Sequence, residues 1–391
     1  MRPANRGDVR VTVGGPLTGV KVIELAGIGP GPYAAMLLAD MGAEVVRIER
    51  PGPSASGIPP ELDVLRRNRR SVVIDLRDPR GAQTVQAMTA HADVLLEGFR
   101  PGVTERLGLG PADCWEVNPR LVYGRMTGWG QTGPLAHSAG HDIGYIALTG
   151  ALGAIGRAGE GPVPPLNLLG DFGGGSTFLV IGVLAALLEA AQSGQGQVVD
   201  AAIVDGASSL TAALHGMMAA GGWKDRRGEN LLDTGRPWYD TYQTADGQWM
   251  AVGAIEPKFY AEFASLLGLP DEIAALRDDP DGWPKLRSAI ADAFASRSRE
   301  EWATVFDGTD ACVAPVLSLT EAAHHPHLAA RDTFIDVGGV VQPAPAPRFS
   351  RTAVAHPKPP AAVGADAREV LADWGIDDAE GLIRDGVVHA G

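Results

Sequence analysis

The sequence predicts an α/β protein with a parallel sheet, on three observations. From about residue 20 to residue 220, short apolar segments typical of buried strands alternate with helical segments. Gly, Pro and Asp residues separate the two kinds of segment. The 391 residues, 45% hydrophobic and 20% charged, have a globular composition that excludes disordered and fibrous classes. Strands that alternate with helices form parallel sheets through right-handed crossovers, and the length allows about two or three domains.

The first predicted elements form a βαβ unit. Val20–Leu25 is a short apolar segment, and the turn Gly27–Pro32 separates it from the helical segment Tyr33–Met41. Gly42 ends that helix before a second strand, Ala43–Ile48. Three further strands of the same kind are predicted at Ser71–Leu76, Asp93–Leu96 and Leu121–Met126.

Two further helices complete the alternation. Asp78-Pro79 places a capping side chain before a proline at the first helical position, which is a strong helix start. Gly170–Gly175 precedes a long apolar helix, Ser176–Gln192. A strand at Gln197–Ile203 and a helix at Asp205–Ala220 follow.

A second, smaller unit is predicted after residue 220. Gly221–Pro237 loses periodicity and is rich in Gly, Arg and Asp, as expected of a linker. The unit then has a strand and three helices: Trp249–Ala254, Pro257–Leu267, Trp283–Ala295 and a helix that begins at the capping box Ser298 and Glu301. Val337–Pro360 is Pro-rich and predicted to be extended, and Ala367–Trp374 is a final short helix.

Composition and charge exclude several functional classes. With 33 basic and 47 acidic residues the net charge is −14, which repels nucleic acid and anionic membranes, so we expect neither as a partner. Cys114 and Cys312 are too few for a disulfide framework. The longest strongly apolar segment, Phe178–Leu188, is too short to span a membrane, and no secretion signal is recognisable. We therefore expect a cytoplasmic protein.

The Gly-rich turn Gly27–Pro32 has two interpretations. Glycines between a strand and a helix let backbone amides approach a pyrophosphate, and Glu49 stands where a ribose-binding acid would be. However, Pro32 occupies the position where the dinucleotide pattern needs its third glycine. A tight turn that joins strand to helix is therefore favoured over a nicotinamide site.

An arginine cluster follows this unit. Six arginines lie between Arg66 and Arg80, and within that segment they face only Asp75 and Asp78. A solvated run of charge is one explanation. Because the local sign opposes that of the whole chain, an anionic ligand is about as well supported, and guanidinium groups bind phosphate through paired hydrogen bonds.

Four residues are candidates for acid–base chemistry: His141, Asp142, Asp171 and Glu256. His141 stands at a predicted helix start, and Asp171 precedes three glycines and a long helix, beside amides that can hold an oxyanion. Glu256 follows a strand in an apolar segment. Each residue also has an ordinary structural interpretation, as an N-cap, a core polar group or a strand-end acid, and no spacing rule ties them together.

The segment His324-His325-Pro326-His327 could indicate a metal site, but a surface turn is the favoured interpretation. No carboxylate or cysteine nearby completes a tetrahedral set of ligands. We therefore expect no metal.

Several blocks of the chain resemble the family III CoA transferases (CaiB/BaiF). The resemblance runs from about Pro16 to Trp374, and the blocks are Val22–Leu25 with Ala26–Pro32, Ala43–Glu49, Asp93–Glu97 with Gly98–Val103, Thr127–Pro134 and Gly170–Gly175. Gly140–Ile143 and Ala254–Pro257 are similar to the α-methylacyl-CoA racemase branch of that family.

The resemblance implies a fold that periodicity alone does not give. The large domain is expected to be Rossmann-like and formed from both chain ends (residues 16–220 and 331–391), with a linker at 221–237 and a smaller α+β domain at 238–330. Two copies are expected to interlock as a homodimer. The substrate is an acyl-CoA thioester, so that CoA is part of the substrate and no cofactor is needed. Its contacts are expected from four arginines: Arg47, Arg50, Arg100 and Arg106.

The resemblance also assigns roles to the acid–base candidates. The racemase reaction inverts the carbon between a methyl branch and the thioester carbonyl, and inversion needs a proton carrier on each face. His141 and Asp171 are the expected pair. Glu256 is expected beside His141, where it would fix the tautomer, and Asp142 is expected to assist.

Three other functions stay open at this point. In the CoA-transferase branch the residue matching Asp171 is a nucleophile; His141, and Glu256 where transferases have a glycine-rich loop, favour racemisation instead. A CoA-binding protein without turnover would leave three acid–base residues unexplained. A nicotinamide dehydrogenase is disfavoured by Pro32.

Overall fold

A computed structural model of the chain describes residues 12–53 and 56–391. In chain order the strands β1 to β14 are Thr12–Val13, Lys21–Leu25, Glu44–Glu49, Arg69–Ile74, Val94–Glu97, Val122–Thr127, Val198–Ala202, Tyr239–Gln243, Trp249–Gly253, Val313–Pro315, Phe334–Val337, Val340–Pro343, Thr352–Ala353 and Val388–His389.

The α-helices, α1 to α17, are Pro30–Asp40, Pro79–Met88, Val103–Arg106, Pro111–Val117, Asp142–Leu148, Ala151–Ala154, Thr177–Ser193, Ile203–Leu210, Ala212–Ala219, Pro257–Leu267, Asp271–Ala274, Trp283–Phe294, Arg299–Phe306, Leu319–Ala322, Pro326–Ala330, Ala367–Asp373 and Ala379–Arg384. Short 3₁₀ helices lie at Pro60–Leu62, Val64–Arg66, Thr89–His91, Ala275–Asp278 and Pro280–Gly282, and a π-helical segment, Leu168–Ser176, leads directly into α7.

The chain divides into two compact units. The first contains the residues up to Thr149, Leu166–Leu210 and Ala329–Gly391, and the second contains Gly150–Pro165 and Thr211–Leu328. The predicted linker, 221–237, therefore belongs to the second unit. Within it Asn230 donates from its side chain to Asp233 and to two backbone carbonyls, which orders a segment without regular secondary structure.

The first unit is built on a seven-stranded sheet in the order β14-β4-β3-β2-β5-β6-β7. Neighbouring strands are parallel except β14, which runs antiparallel to β4 at the edge. The predicted α/β class with a parallel sheet is confirmed, and the predicted strands lie within two residues of the observed ones. The sequence analysis missed β14, because two residues are too few to show a period.

Each face of this sheet is covered by apolar helices. Alternate residues of β2 point to opposite faces: Ile23 joins the cluster that contains α2 and α16, and Val22 joins the one that contains α1 and α7. Trp374, at the end of α16, is fully buried in the first cluster, so the C-terminal segment is part of this core. As predicted, Asp78 caps α2 by accepting a hydrogen bond from the backbone N–H of Arg80 at 2.9 Å.

The second unit has an antiparallel sheet, β10-β9-β8, packed by helices with an aromatic core. Phe263, Phe294 and Trp302 are essentially fully buried there. The predicted helix α10 has the bounds expected, and the capping box of Ser298 and Glu301 begins α13 as predicted.

One helical segment, Leu168–Ser193, is long and apolar enough to cross a membrane by length and composition. It is longer than the predicted apolar segment because the glycines before it are helical too. A core helix of this composition passes the same test, and α7 packs on β6 and β7 with Leu179 and Val183 buried.

Candidate active site

A cavity of about 660 Å³ opens at the carboxyl ends of the parallel strands of the first unit. It is lined by the turn after β2, the end of β3, the loop after β5, the loop between β6 and α5, and Asp171. Ligands of open α/β sheets bind at this edge. The strand order also changes direction here, since β2 lies between β3 and β5.

His141 and Asp142 begin helix α5. His141 is its N-cap, with an extended backbone, and its carbonyl accepts the N–H of Gly144 at 2.8 Å. Its imidazole makes no capping hydrogen bond, is exposed and lines the cavity. Asp142, one residue on, is buried.

Asp171 lies inside the helix and not before it. The glycines predicted to lead into the helix form the π-helical segment, in whose first turn Asp171 stands. Its backbone N–H donates to Asp142 Oδ1 at 2.6 Å. A Cβ atom at Gly170 would lie 2.2 Å from the same oxygen, so this close approach requires glycine at 170. His141, Asp142 and Asp171 are thereby brought together.

The carboxyl of Asp171 titrates far above its ordinary range. Burial is the main cause that raises its pKa, to about 6, and the negative charge of Asp142 adds to the shift. A hydrogen bond from the Asn167 side chain and a positive charge on His141 act in the opposite direction. Asn167 was not predicted as a site residue, because nothing in the sequence showed that the helix extends back to it.

The backbone amides expected to hold an oxyanion are partly occupied. The N–H of Asp171 is bonded to Asp142, and the N–H of Phe172 donates to the carbonyl of Asn167 at 3.2 Å. The expectation that the helix start offers its first amides to a ligand is therefore wrong for these two groups, because the π-helical turn uses them.

Glu97 is another carboxyl that lines the cavity, and it was not among the predicted acid–base candidates. It ends β5, accepts the N–H of Phe99 at 2.7 Å and lies 3.3 Å from Arg125 Nε. Burial raises its pKa to about 7, against these two contacts. Its only sequence signal was its place at the end of a predicted strand.

The four predicted CoA-binding arginines occupy different environments. Arg50 and Arg100 are exposed and line the cavity. Arg47 also lines it but is buried, and its guanidinium donates to Glu24 and to the carbonyl of Gly27. Arg106 is exposed on α3 and is not among the residues that line the cavity.

The sequence neighbours of the arginine cluster suggested that most of its arginines have no acidic partner. The structure shows the opposite. The first members of the cluster are paired with acids from distant positions: Arg66 with Glu49, Arg67 with Asp40, Arg69 with Glu24, and Arg70 with Glu44 and Asp373. The first three arginines are buried. Sequence proximity failed here because the fold brings these arginines to acids 17 to 45 positions earlier in the chain and, for Asp373, to one 303 positions later.

Glu256 belongs to the second unit, where it is exposed as the N-cap of α10. Its place beside His141 stays a prediction. Among the residues that the structure describes, no group of three or more His, Cys, Asp or Glu side chains has the arrangement of a metal site. His324 contacts the carbonyl of Thr320 at 3.0 Å.

The family assignment follows from the extent of a sequence match. A family model described as CoA-transferase family III matches residues 17–367, which is most of the chain and contains every residue of the cavity. The chain belongs to the CoA-transferase family III. The resemblance seen in the sequence blocks is confirmed.

Relatives within this family place the chain near one branch. It is 48% identical over 366 residues to the alpha-methylacyl-CoA racemase of Mus musculus and 44% identical over 366 residues to that of Homo sapiens, covering 93% of this chain and 94% of the relative in both cases. A solved CAIB/BAIF family protein from Brucella suis has a TM-score of 0.80 at 25% identity, covering 92% of this chain and all of that one.

Proposed function

We propose that this protein is an α-methylacyl-CoA racemase that interconverts (2R)- and (2S)-2-methylacyl-CoA thioesters by proton transfer through an enolate. The observation that carries the proposal is the pairing of His141 with Asp171 at one cavity, where Asp171 titrates near pH 6. The two mammalian relatives named as racemases support it.

Inversion requires one group to remove the α-proton and another to return a proton on the opposite face. A carboxyl with a pKa of about 6 can hold or release a proton near neutral pH, which an ordinary aspartate cannot do. Histidine is the other side chain suited to that range. With either group protonated and the other not, the enzyme can accept either stereoisomer.

Other residues have supporting roles in this proposal. Asp142 holds the backbone of Asp171 and raises its pKa. Glu256 would lie beside His141 and stabilise its charged form. Arg50 and Arg100, exposed at the cavity, would bind CoA phosphates, with Arg47 and Arg106 as further candidates. CoA is part of the substrate, so no separate cofactor takes part.

We propose that two copies interlock as a homodimer, because the family resemblance implies it. The exposed apolar side chains of Ile181 and Leu188 on α7 are consistent with a covered face. We also propose a cytoplasmic enzyme of fatty-acid metabolism, with no nucleic-acid or membrane partner.

The alternative within the family is CoA transfer, with Asp171 as the nucleophile. The matching family model is described as a CoA transferase, which supports this alternative. Incubation of the protein with a 2-methylacyl-CoA in heavy water separates the two. We expect deuterium at the α-carbon without any acyl acceptor, and hydroxylamine should trap no acyl adduct on Asp171. CoA passing to a free carboxylate, with no α-exchange, would establish the transferase instead.

A further inference from the structure

The loop after β2 and the first turn of α1, which together form the predicted turn Gly27–Pro32, are held by side chains from three other elements. Arg47 of β3 donates to the carbonyl of Gly27 at 3.1 Å, Ser176 to that of Pro30 at 2.7 Å, and Arg69 of β4 to that of Pro32 at 3.2 Å. Carbonyls at the start, middle and end of the turn are thus fixed. A turn rich in glycine has little stiffness of its own, so these bonds set its position.

Glu24 connects the two arginines. Its Oε1 accepts from Arg47 Nη1 and its Oε2 from Arg69 Nη1, the latter at 2.5 Å. The side chains of Glu24, Arg47 and Arg69 are 2%, 8% and 1% exposed, so this triad is buried, with Glu24 and Arg47 in the wall of the cavity. Two buried cations share one carboxylate, and each directs a second hydrogen bond to the turn.

The turn Gly27–Pro32 lies next to Asp171, the proposed proton carrier. A Cβ atom at Gly29 would be 3.3 Å from Asp171 Oδ2, so the Gly29 backbone lies close to that oxygen. Ser176 ties the same two segments, because its hydroxyl also contacts the carbonyl of Asp171 at 3.1 Å. Tyr33, just beyond the turn, stacks on Phe172 with ring centroids 4.3 Å apart.

We propose that Glu24, through Arg47 and Arg69, is the positioning residue that holds the turn Gly27–Pro32 against Asp171. The proposal rests on the racemase function and adds to it the groups that set the environment of one proton carrier. Arg47 is then committed to the protein's own backbone, and its guanidinium is not a principal phosphate contact.

The nitrogen atoms used by each arginine make the proposal specific. Arg47 uses Nη1 for Glu24 and Nη2 for Gly27, so a lysine, with its single nitrogen, loses one of the two bonds. Arg69 uses Nη1 for both Glu24 and Pro32, and its Nε and Nη2 have no hydrogen-bond partner among the described residues. A lysine at 69, which keeps one nitrogen and the positive charge, is therefore expected to replace the arginine better than a lysine at 47 does.

The first experiment compares Arg47→Lys, Glu24→Gln, Arg69→Lys and Arg69→Met in α-deuterium exchange. We expect Arg47→Lys and Glu24→Gln to lower kcat by about tenfold or more with KM within about twofold, because a small displacement near the reacting groups acts on the chemical step. Arg69→Met should behave likewise, and Arg69→Lys should restore most of the loss. The matched control is Arg67→Lys, a buried arginine bonded to Asp40, Gln342 and Pro343, away from the turn.

The pH profile separates positioning from simple loss of fold. Asp142, His141 and Tyr145 are the titratable groups that act on Asp171, and none is altered in these variants. A loosened turn exposes Asp171 to solvent, which lowers its pKa, so the limb of the kcat profile that belongs to Asp171 should move to lower pH. A variant that is only less stable would keep the wild-type profile.

A second measurement does not depend on the substrate. Backbone hydrogen exchange in the peptide containing Gly27–Pro32 should accelerate in Arg47→Lys and Glu24→Gln but not in Arg67→Lys. If backbone hydrogen exchange accelerates in these two variants while the wild-type protein gives no deuterium at the substrate α-carbon, the proposed function fails and the positioning role stands. If Arg47→Lys raises KM alone, with unchanged kcat and unchanged backbone exchange, the positioning role is refuted and Arg47 is a CoA contact.

Discussion

Two groups of carboxylates lie in the first unit, and they differ in their cation partners. Glu24, Asp40 and Glu49 are each in an ion pair with a buried arginine. Asp142 and Asp171 form no ion pair within the part of the chain that the structure describes, and their mutual repulsion adds to burial in raising the pKa of Asp171. Glu24 of the first group supports the turn through its arginines, and Asp171 of the second lines the cavity as a proton carrier.

This difference shows how one residue type serves two purposes in one unit. A buried carboxylate with an arginine forms an ion pair that is part of the structure. A half-buried one without a cation is left to exchange protons. Glu97 is intermediate, since it shares Arg125 with Glu105, and burial still raises its pKa to about 7. The presence of an unshared cation is therefore what separates the two groups.

The largest expected effects come from exchanging a carboxylate for its amide in each group. Asp171→Asn should lower α-deuterium exchange by about 10³-fold, because a proton carrier is lost, while the protein remains folded. His141→Gln should do the same. Asp40→Asn should instead destabilise the fold by about 3 kcal/mol, because Arg67 is left buried without its charge partner, with kcat per folded molecule retained.

The measurements for this contrast are exchange kinetics and denaturant unfolding on the same preparations. Retained turnover in Asp171→Asn or His141→Gln would remove that residue from the proton-carrying pair. A stable Asp40→Asn with reduced kcat would mean that the two groups are not functionally distinct.

A smaller effect on the kinetics is expected from removing single arginines, at the cavity and outside it. Arg50→Ala and Arg100→Ala remove exposed guanidinium groups at the cavity and should each raise KM for the acyl-CoA about tenfold with little change in kcat. Arg106→Ala, outside the cavity lining, should raise KM by less, about threefold. Steady-state kinetics at two salt concentrations checks this. An effect of Arg106→Ala larger than the other two would show that the CoA moiety extends along α3.

The fold was largely predictable because its signals are local. Val20–Leu25 and Ala43–Ile48 are apolar segments of strand length, Asp78 and Ser298 are capping residues, and each lies where the structure places the corresponding element. What was missed has weak or no local signal. The strand β8 alternates buried and exposed residues over only five positions beside a segment without periodicity.

The site was predictable in its residue types but not in its geometry. The helix start at His141 followed from the sequence, whereas the bond between Asp142 and the backbone of Asp171 joins residues 29 positions apart. The local sequence suggested an unpaired arginine cluster, and the partners of those arginines came from strands β2 and β3 and from the ends of helices α1 and α16, which only the fold brings together. Charge balance is a property of the folded neighbourhood, which sequence spacing does not give.

The smallest expected effect tests the carboxylate repulsion itself. Asp142→Asn keeps an oxygen that accepts the N–H of Asp171 but removes the negative charge that raises the pKa of Asp171. That pKa should fall, so the Asp171 limb of the pH profile should move to lower pH, with kcat at neutral pH reduced by less than about tenfold.

The same variant has a consequence for stability whose sign is fixed by linkage. A carboxyl whose pKa is raised on folding, from 3.8 to about 6 for Asp171, contributes stability that is fully present below about pH 4 and is lost as the pH rises through about 6. Wild-type protein should therefore lose more stability between pH 4 and pH 7.5 than Asp142→Asn does, in thermal unfolding followed at both values. Equal losses would mean that the charge of Asp142 does not act on Asp171, and burial alone would then account for the raised pKa of Asp171.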